Sequence, residues 1–136
     1  MDFERARKAF EHYLDGYDRK DDKVRLKIVH TYGVVKCSED IAKRMGLSDE
    51  DVEIARIIAL LHDIGRFEQL KLFNSFNPSH MNHAKYGAMI LFEQGMIRDF
   101  VEEDTFDDII RISIDKHSDF EIEGVEDPRI LMHERS

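Results

Sequence analysis

His62 and Asp63 close the run Ile54-Ala55-Arg56-Ile57-Ile58-Ala59-Leu60-Leu61, the most apolar stretch of the chain. An imidazole and a carboxylate on so apolar a helix need partners if they are buried. An anionic Asp near a helix C-terminus also opposes the helix dipole. A divalent cation held by both side chains answers both objections, which makes the pair a candidate metal centre. Imidazole and carboxylate donors suit Mn, Fe, Ni, Co, Zn or Mg without choosing among them.

The chain carries seven histidines, and three more fall on apolar helical faces. His30 shares a stripe with Leu26, Val34 and Cys37; His83 aligns with Gly87 and Ile90; His117 aligns with Ile110, Ser113 and Ile114. Histidines on the inward faces of four helices can converge on one point of a bundle, where metal sites are built. Taken alone, each reads more readily as a hydrogen-bonded core residue. His80, three residues before His83, could be a ligand or simply exposed. His12 and His133 have no supporting pattern and read as surface residues, and Cys37 reads as a small buried hydrophobe. Arg66, next to Gly65, is the candidate phosphate contact because its planar fork suits phosphate oxygens. A solvated loop charge is the alternative for Arg66, and the favoured one for Lys71. The acids Glu102-Glu103-Asp104 and Asp107-Asp108 read as a solvated face and the start of a helix.

Apolar residues recur at helical spacing throughout, with two prolines and no alternating strand pattern. Phe3, Ala6, Phe10, Tyr13, Leu14 and Tyr17 mark a first helix, broken at Gly16 and the charged cluster that follows. A second runs from about Val24 to Met45, ends at Gly46, and presents Leu26, His30, Val34, Cys37, Ile41 and Met45 as one stripe. Ser48 begins a capping-box-like start to a third helix, which reaches His62-Asp63 and stops near Gly65. That helix is apolar almost all round, as a central helix should be. Residues 66–78 read as a loop with some local helix. A fourth helix fits about Ser79 to Gln94, before Gly95, and a short one fits Met96 to Glu103. Another opens at Thr105-Phe106-Asp107-Asp108 and runs through His117. Gly124 and Pro128 bracket a turn, and Ile130-Leu131-Met132 begins one more helix, cut off at Ser136. The expected fold class is all-α: one compact helical bundle of about five to seven helices spanning 1–136.

At 136 residues, 42% hydrophobic and 36% charged, the chain is long enough for one real core and reads as globular. A net charge of −9 without a basic block argues against nucleic-acid polymers and anionic membranes as partners. It leaves room for a small anionic substrate. One cysteine excludes an internal disulfide and a zinc–thiolate knuckle. No signal core or transmembrane-length stretch is present, so the expected location is cytoplasmic.

Four segments, in order, resemble the HD-domain superfamily of metal-dependent phosphohydrolases. They are His30-Thr31-Tyr32-Gly33-Val34-Val35, Ala59-Leu60-Leu61-His62-Asp63-Ile64-Gly65-Arg66-Phe67, His83-Ala84-Lys85-Tyr86-Gly87-Ala88 and Ser113-Ile114-Asp115-Lys116-His117-Ser118. The resemblance covers about Val24 to Leu131. It implies that His30, His62 and Asp63 bind one metal and that Asp63 bridges to a second, held by His83 and His117. It implies hydrolysis of a phosphomonoester or phosphodiester, a nucleotide being one candidate, with Asp63 and Arg66 at the chemistry. Members complete the set with a final Asp, soon after the segment resembling Asp127-Pro128-Arg129-Ile130-Leu131-Met132-His133. This sequence ends instead at Glu134-Arg135-Ser136. The expectation is therefore a C-terminal helix left incomplete and a site one carboxylate short. Uncovered apolar surface there would favour a homo-oligomer. The alternative to an enzyme is a catalytically impaired HD domain serving as a metal- or nucleotide-binding or oligomerisation module.

Overall fold

The computed structural model describes residues 1–77 and 81–116. These form seven α-helical segments and no strand, as the sequence leads one to expect. Helix α1 spans Phe3–Leu14 and is capped by Asp2, whose carboxylate accepts from the Glu4 and Arg5 amides. Its buried residues Phe3, Ala6, Phe10 and Leu14 keep the spacing of one helical face. Helix α2 spans Asp22–Arg44 and α3 spans Asp49–Leu61. Gly46 follows α2 in the left-handed region at φ +72°, where glycine carries no Cβ penalty.

Helix α3 is the central element. Ile57, Ile58, Ala59, Leu60 and Leu61 are all fully buried, against α1, α2 and α7 (Asp107–Asp115). Its start is fixed by Ser48 Oγ, which accepts from the Asp51 amide at 3.1 Å. Ser48→Ala should therefore lower stability by about 1 kcal/mol in urea unfolding without altering the helical content.

Two expectations change. The second helix does not bury its predicted stripe: Leu26 is 64% exposed, Met45 is 50% exposed, and Cys37 is exposed rather than core. The buried residues are Val24, Thr31, Val34, Val35, Ser38 and Ala42. Small side chains such as Ser38 and Ala42 let α2 lie close on α3, and a hydrophobicity count overlooks them. The loop with some local helix expected after Gly65 is helix as far as Phe73, since α4 spans Ile64–Phe73 only two residues beyond α3. Gly65 thus does not stop a helix; it lies in the first turn of the next one.

Helix α5 spans His83–Ala88, with Asn82 accepting from the Lys85 amide, and widens into a π-helical turn over Met89–Glu93. Gly95, at φ +81°, ends it as expected. Helix α6 is a single turn, Ile97–Phe100. The start of α7 was expected at a capping box, but Phe106 occupies the cap position and no side chain caps it. Asp107 instead pairs with Arg98, and Glu103 pairs with the N-terminal ammonium at 3.2 Å. The anticipated turn at Gly124 and Pro128 and the helix at Ile130 lie outside the described residues.

Candidate metal centre

The site forms where α3 ends and α4 begins, faced by one turn of α2 and by the start of α5. The corner between α3 and α4 puts Asp63 at the N-cap position of α4, at φ −111° and ψ 20°, with no capping bond from its side chain. The dipole objection to Asp63 therefore falls away, because the positive end of α4 offsets the negative end of α3. Tyr13 anchors this corner from α1: its hydroxyl donates to the Ile64 carbonyl at 3.3 Å and lies 2.8 Å from the Tyr17 hydroxyl. Tyr17 in turn donates to Glu68 at 2.8 Å. Burial pushes the Tyr13 phenol up to about 12, and burial with these bonds pushes Tyr17 up further still. Both hydroxyls therefore remain protonated donors at neutral pH.

Asp63 is the hub. Its Oδ2 lies 3.1 Å from His62 Nε2, 3.9 Å from His30 Nε2 and 2.9 Å from Lys27 Nζ. Its Oδ1 lies 3.4 Å from His83 Nε2. His62, Asp63 and His83 are buried, whereas the His30 side chain is 45% exposed. His30 sits at the border between the buried face of α2 and its exposed apolar strip, so the centre opens to solvent on the His30 side.

The donors of His30, His62 and Asp63 lie within 4.8 Å of one another, and the three could hold a metal ion together. The tautomer of His62 fits that use. Its Nδ1 lies 2.5 Å from the Ala59 carbonyl. A carbonyl only accepts, so Nδ1 carries a proton there, and Nε2 is the ring nitrogen turned towards Asp63 and left for a metal. Backbone bonds of this kind orient metal-bound histidines. Two imidazoles and a carboxylate suit a divalent transition ion.

His83 reaches this point through a tight helix crossing. A Cβ built on Gly65 would stand 2.1 Å from the His83 carbonyl oxygen, and one on Gly87 would meet Ile64 at 3.1 Å. Two glycines thus let α4 and α5 touch backbone to backbone and bring His83 against the second oxygen of Asp63.

Arg66 lies one turn along α4. Its Nη1 donates to Gln69 Oε1 at 3.2 Å and to the Phe76 carbonyl at 3.0 Å. Its Nε is buried and, among the described residues, meets no hydrogen-bond acceptor. Burial pushes the guanidinium below its ordinary value, while the charge on Asp63 pulls it back up. Lys71 faces elsewhere: it lies over the Tyr17 ring at 5.7 Å. There it lines a cavity of about 430 Å³ that includes none of the clustered histidines. His12 is exposed, as expected. His80, His117 and His133 lie outside the described residues.

Sequence reasoning missed Lys27, Phe76 and the Tyr13–Tyr17 pair. Lys27 had a signal, since it precedes His30 by three residues and so shares its side of α2. Phe76 had none, because its place depends on how the chain leaves α4.

The HD domain family matches this chain over residues 28–133. The match takes in α2 from Ile28 and every residue of the histidine–aspartate cluster. The protein belongs to the HD domain family. Its His30–His62–Asp63 group is consistent with the active site of a metal-dependent phosphohydrolase. No curated protein and no solved structure matches the chain. Among the described residues, no helix is long and apolar enough to cross a membrane.

Proposed function

We propose that this protein is a metal-dependent phosphohydrolase acting on a small phosphomonoester or phosphodiester, with a nucleotide as one candidate substrate. The observation that carries the reading is the convergence of His30, His62 and Asp63 within 4.8 Å at a buried corner open on one side. In this reading those three residues hold a divalent ion. His83, on the other oxygen of Asp63, belongs to a second ion, with His117 as its proposed companion. A divalent ion bound there would lower the pKa of water towards neutrality and stabilise charge building on the phosphoryl oxygens.

The chain's own residues do the rest. Ala59 fixes the ring of His62, and the α3–α4 corner presents both oxygens of Asp63 to opposite sides. Apolar walls from α3 exclude bulk water, which strengthens every charge interaction inside. Arg66 contacts a phosphate oxygen through Nε, the donor that has no acceptor among the described residues. Arg66→Ala should raise KM for a phosphoester by about tenfold or more, the value of a lost charged hydrogen bond, while metal affinity holds. Steady-state kinetics on a phosphoester panel, read beside a metal titration, separates the two. A panel with no turnover on any phosphoester by the metal-loaded protein would defeat the enzymatic reading.

A second reading is a metal-binding HD domain that assembles rather than catalyses. It draws on Leu26 and Val29, exposed apolar side chains beside His30 on α2. Homo-oligomerisation without turnover would favour it. The exposed, single Cys37 suits a reducing compartment, and we place the protein in the cytoplasm.

A further inference from the structure

Lys27 has no place in the metal-binding scheme, yet it is closely engaged with the carboxylate at its centre. Its Nζ stands 2.9 Å from Asp63 Oδ2, the oxygen that also faces His30 and His62, and its side chain is only 15% exposed. The same ammonium lies 5.3 Å from the centre of the Phe76 ring. On the same ring sits the Arg66 guanidinium, at 5.5 Å. Two cations therefore gather around one aromatic ring beside one buried carboxylate.

An ammonium and a divalent ion compete for that oxygen. Both are cations, both need its lone pairs, and they repel strongly at such separation in a poorly solvated site. A metal ion held by His30, His62 and Asp63 therefore weakens the hold of Asp63 on Lys27. The side chain cannot go far, because its backbone is one helical turn from His30 and its stem is packed. Phe76 offers the ammonium a π-face at the rim of the site. The next negative charge to reach that rim is the anionic group of a substrate.

Resting on the phosphohydrolase reading above, we propose that Lys27 is an exchangeable counter-ion. It neutralises Asp63 while the metal is absent and, once displaced by the metal, binds a phosphoryl oxygen of the substrate beside Arg66. Its charge thus passes from the protein's carboxylate to the substrate's phosphate, so the anion-binding side of the site forms only after metal loading.

The test uses Mn2+ and inorganic phosphate as probes, with isothermal titration of the whole chain and of Lys27→Met and Lys27→Arg. Lys27→Met should bind Mn2+ about tenfold or more tightly, because the competing cation is gone. The Mn2+-loaded Lys27→Met protein should bind phosphate about tenfold or more weakly. Lys27→Arg should restore both values towards wild type. Mn2+ binding to Lys27→Met that is unchanged or weaker would overturn the proposal and make Lys27 a mere structural support of Asp63. Tighter Mn2+ binding with unchanged phosphate affinity would overturn the exchange as well. Wild-type protein that binds no Mn2+ would overturn the metal reading itself, an outcome distinct from the other two. Circular dichroism of each variant confirms that the compared proteins are folded.

Discussion

Asp63→Asn is expected to abolish tight metal binding and phosphoester turnover while the helical fold survives. Asp63 is the residue on which the site converges: Oδ2 faces His30, His62 and Lys27, and Oδ1 faces His83. The amide keeps the shape but loses the charge and one of the two oxygen donors. Groups that merely orient a metal ligand are worth about 10–100-fold in affinity. A substituted ligand, and one that faces both histidine sets, should cost about 100-fold or more. The fold should persist, because the amide fills the same volume and its oxygen still accepts from Lys27. Some stability is lost, since Lys27 keeps a half-hidden charge without its carboxylate; breaking a buried pair costs up to about 3–5 kcal/mol. Metal should raise the Tm of the wild-type protein through ligand linkage and leave that of the variant unmoved. Wild-type-like metal affinity and turnover in Asp63→Asn would remove Asp63 from the site.

Gly65→Ala is expected to be the most damaging of the small substitutions. The added methyl would stand 2.1 Å from the His83 carbonyl oxygen, 3.0 Å from its carbonyl carbon and 3.1 Å from the Gly87 amide nitrogen. All three are backbone atoms, so no rotamer change relieves the clash, and α5 must move away from α4. Overpacking of this kind costs about 1–3 kcal/mol or more, and the shift carries His83 away from Asp63. Gly33→Ala is the matched control. A Cβ there meets nothing within 4 Å, and the position lies within α2. It should gain about 0.4–1 kcal/mol by restricting the unfolded chain. The same chemical change should thus lower Tm at Gly65 and raise it at Gly33. Equal effects at the two positions would contradict the crossing as described.

Much of this was legible in the chain. The central helix was visible because Ile54 to Leu61 is apolar almost all round, Arg56 apart, a pattern that suits a surrounded helix. Gly46 and Gly95 marked helix ends, and Ser48 marked a start. His30, His62, Asp63 and His83 were all singled out, and the fold brings those four together. The face of α2 was misjudged because tight helix packing selects small residues such as Ser38 and Ala42, which carry little hydrophobic signal. Helix α4 was hidden by Asn74 and Asn77: Asn74 ends it rather than prevents it, taking the left-handed φ of 50°, and Asn77 lies beyond it. Gly65 read as a terminator because sequence shows a missing Cβ but not the backbone that requires it to be missing. Lys27 escaped because a lysine among seven histidines draws no notice until its carboxylate partner is in place.

Metal stoichiometry tests the central claim most directly. The purified chain would be stripped of metal, dialysed against Mn2+, Fe2+, Co2+, Ni2+ or Zn2+, and measured by elemental analysis beside Asp63→Asn. Binding by His30, His62 and Asp63 predicts one or more tightly held ions per wild-type chain with at least one of these metals, and none in the variant. A folded wild-type chain that retains none of the five, or an Asp63→Asn variant that retains as much as wild type, would contradict it.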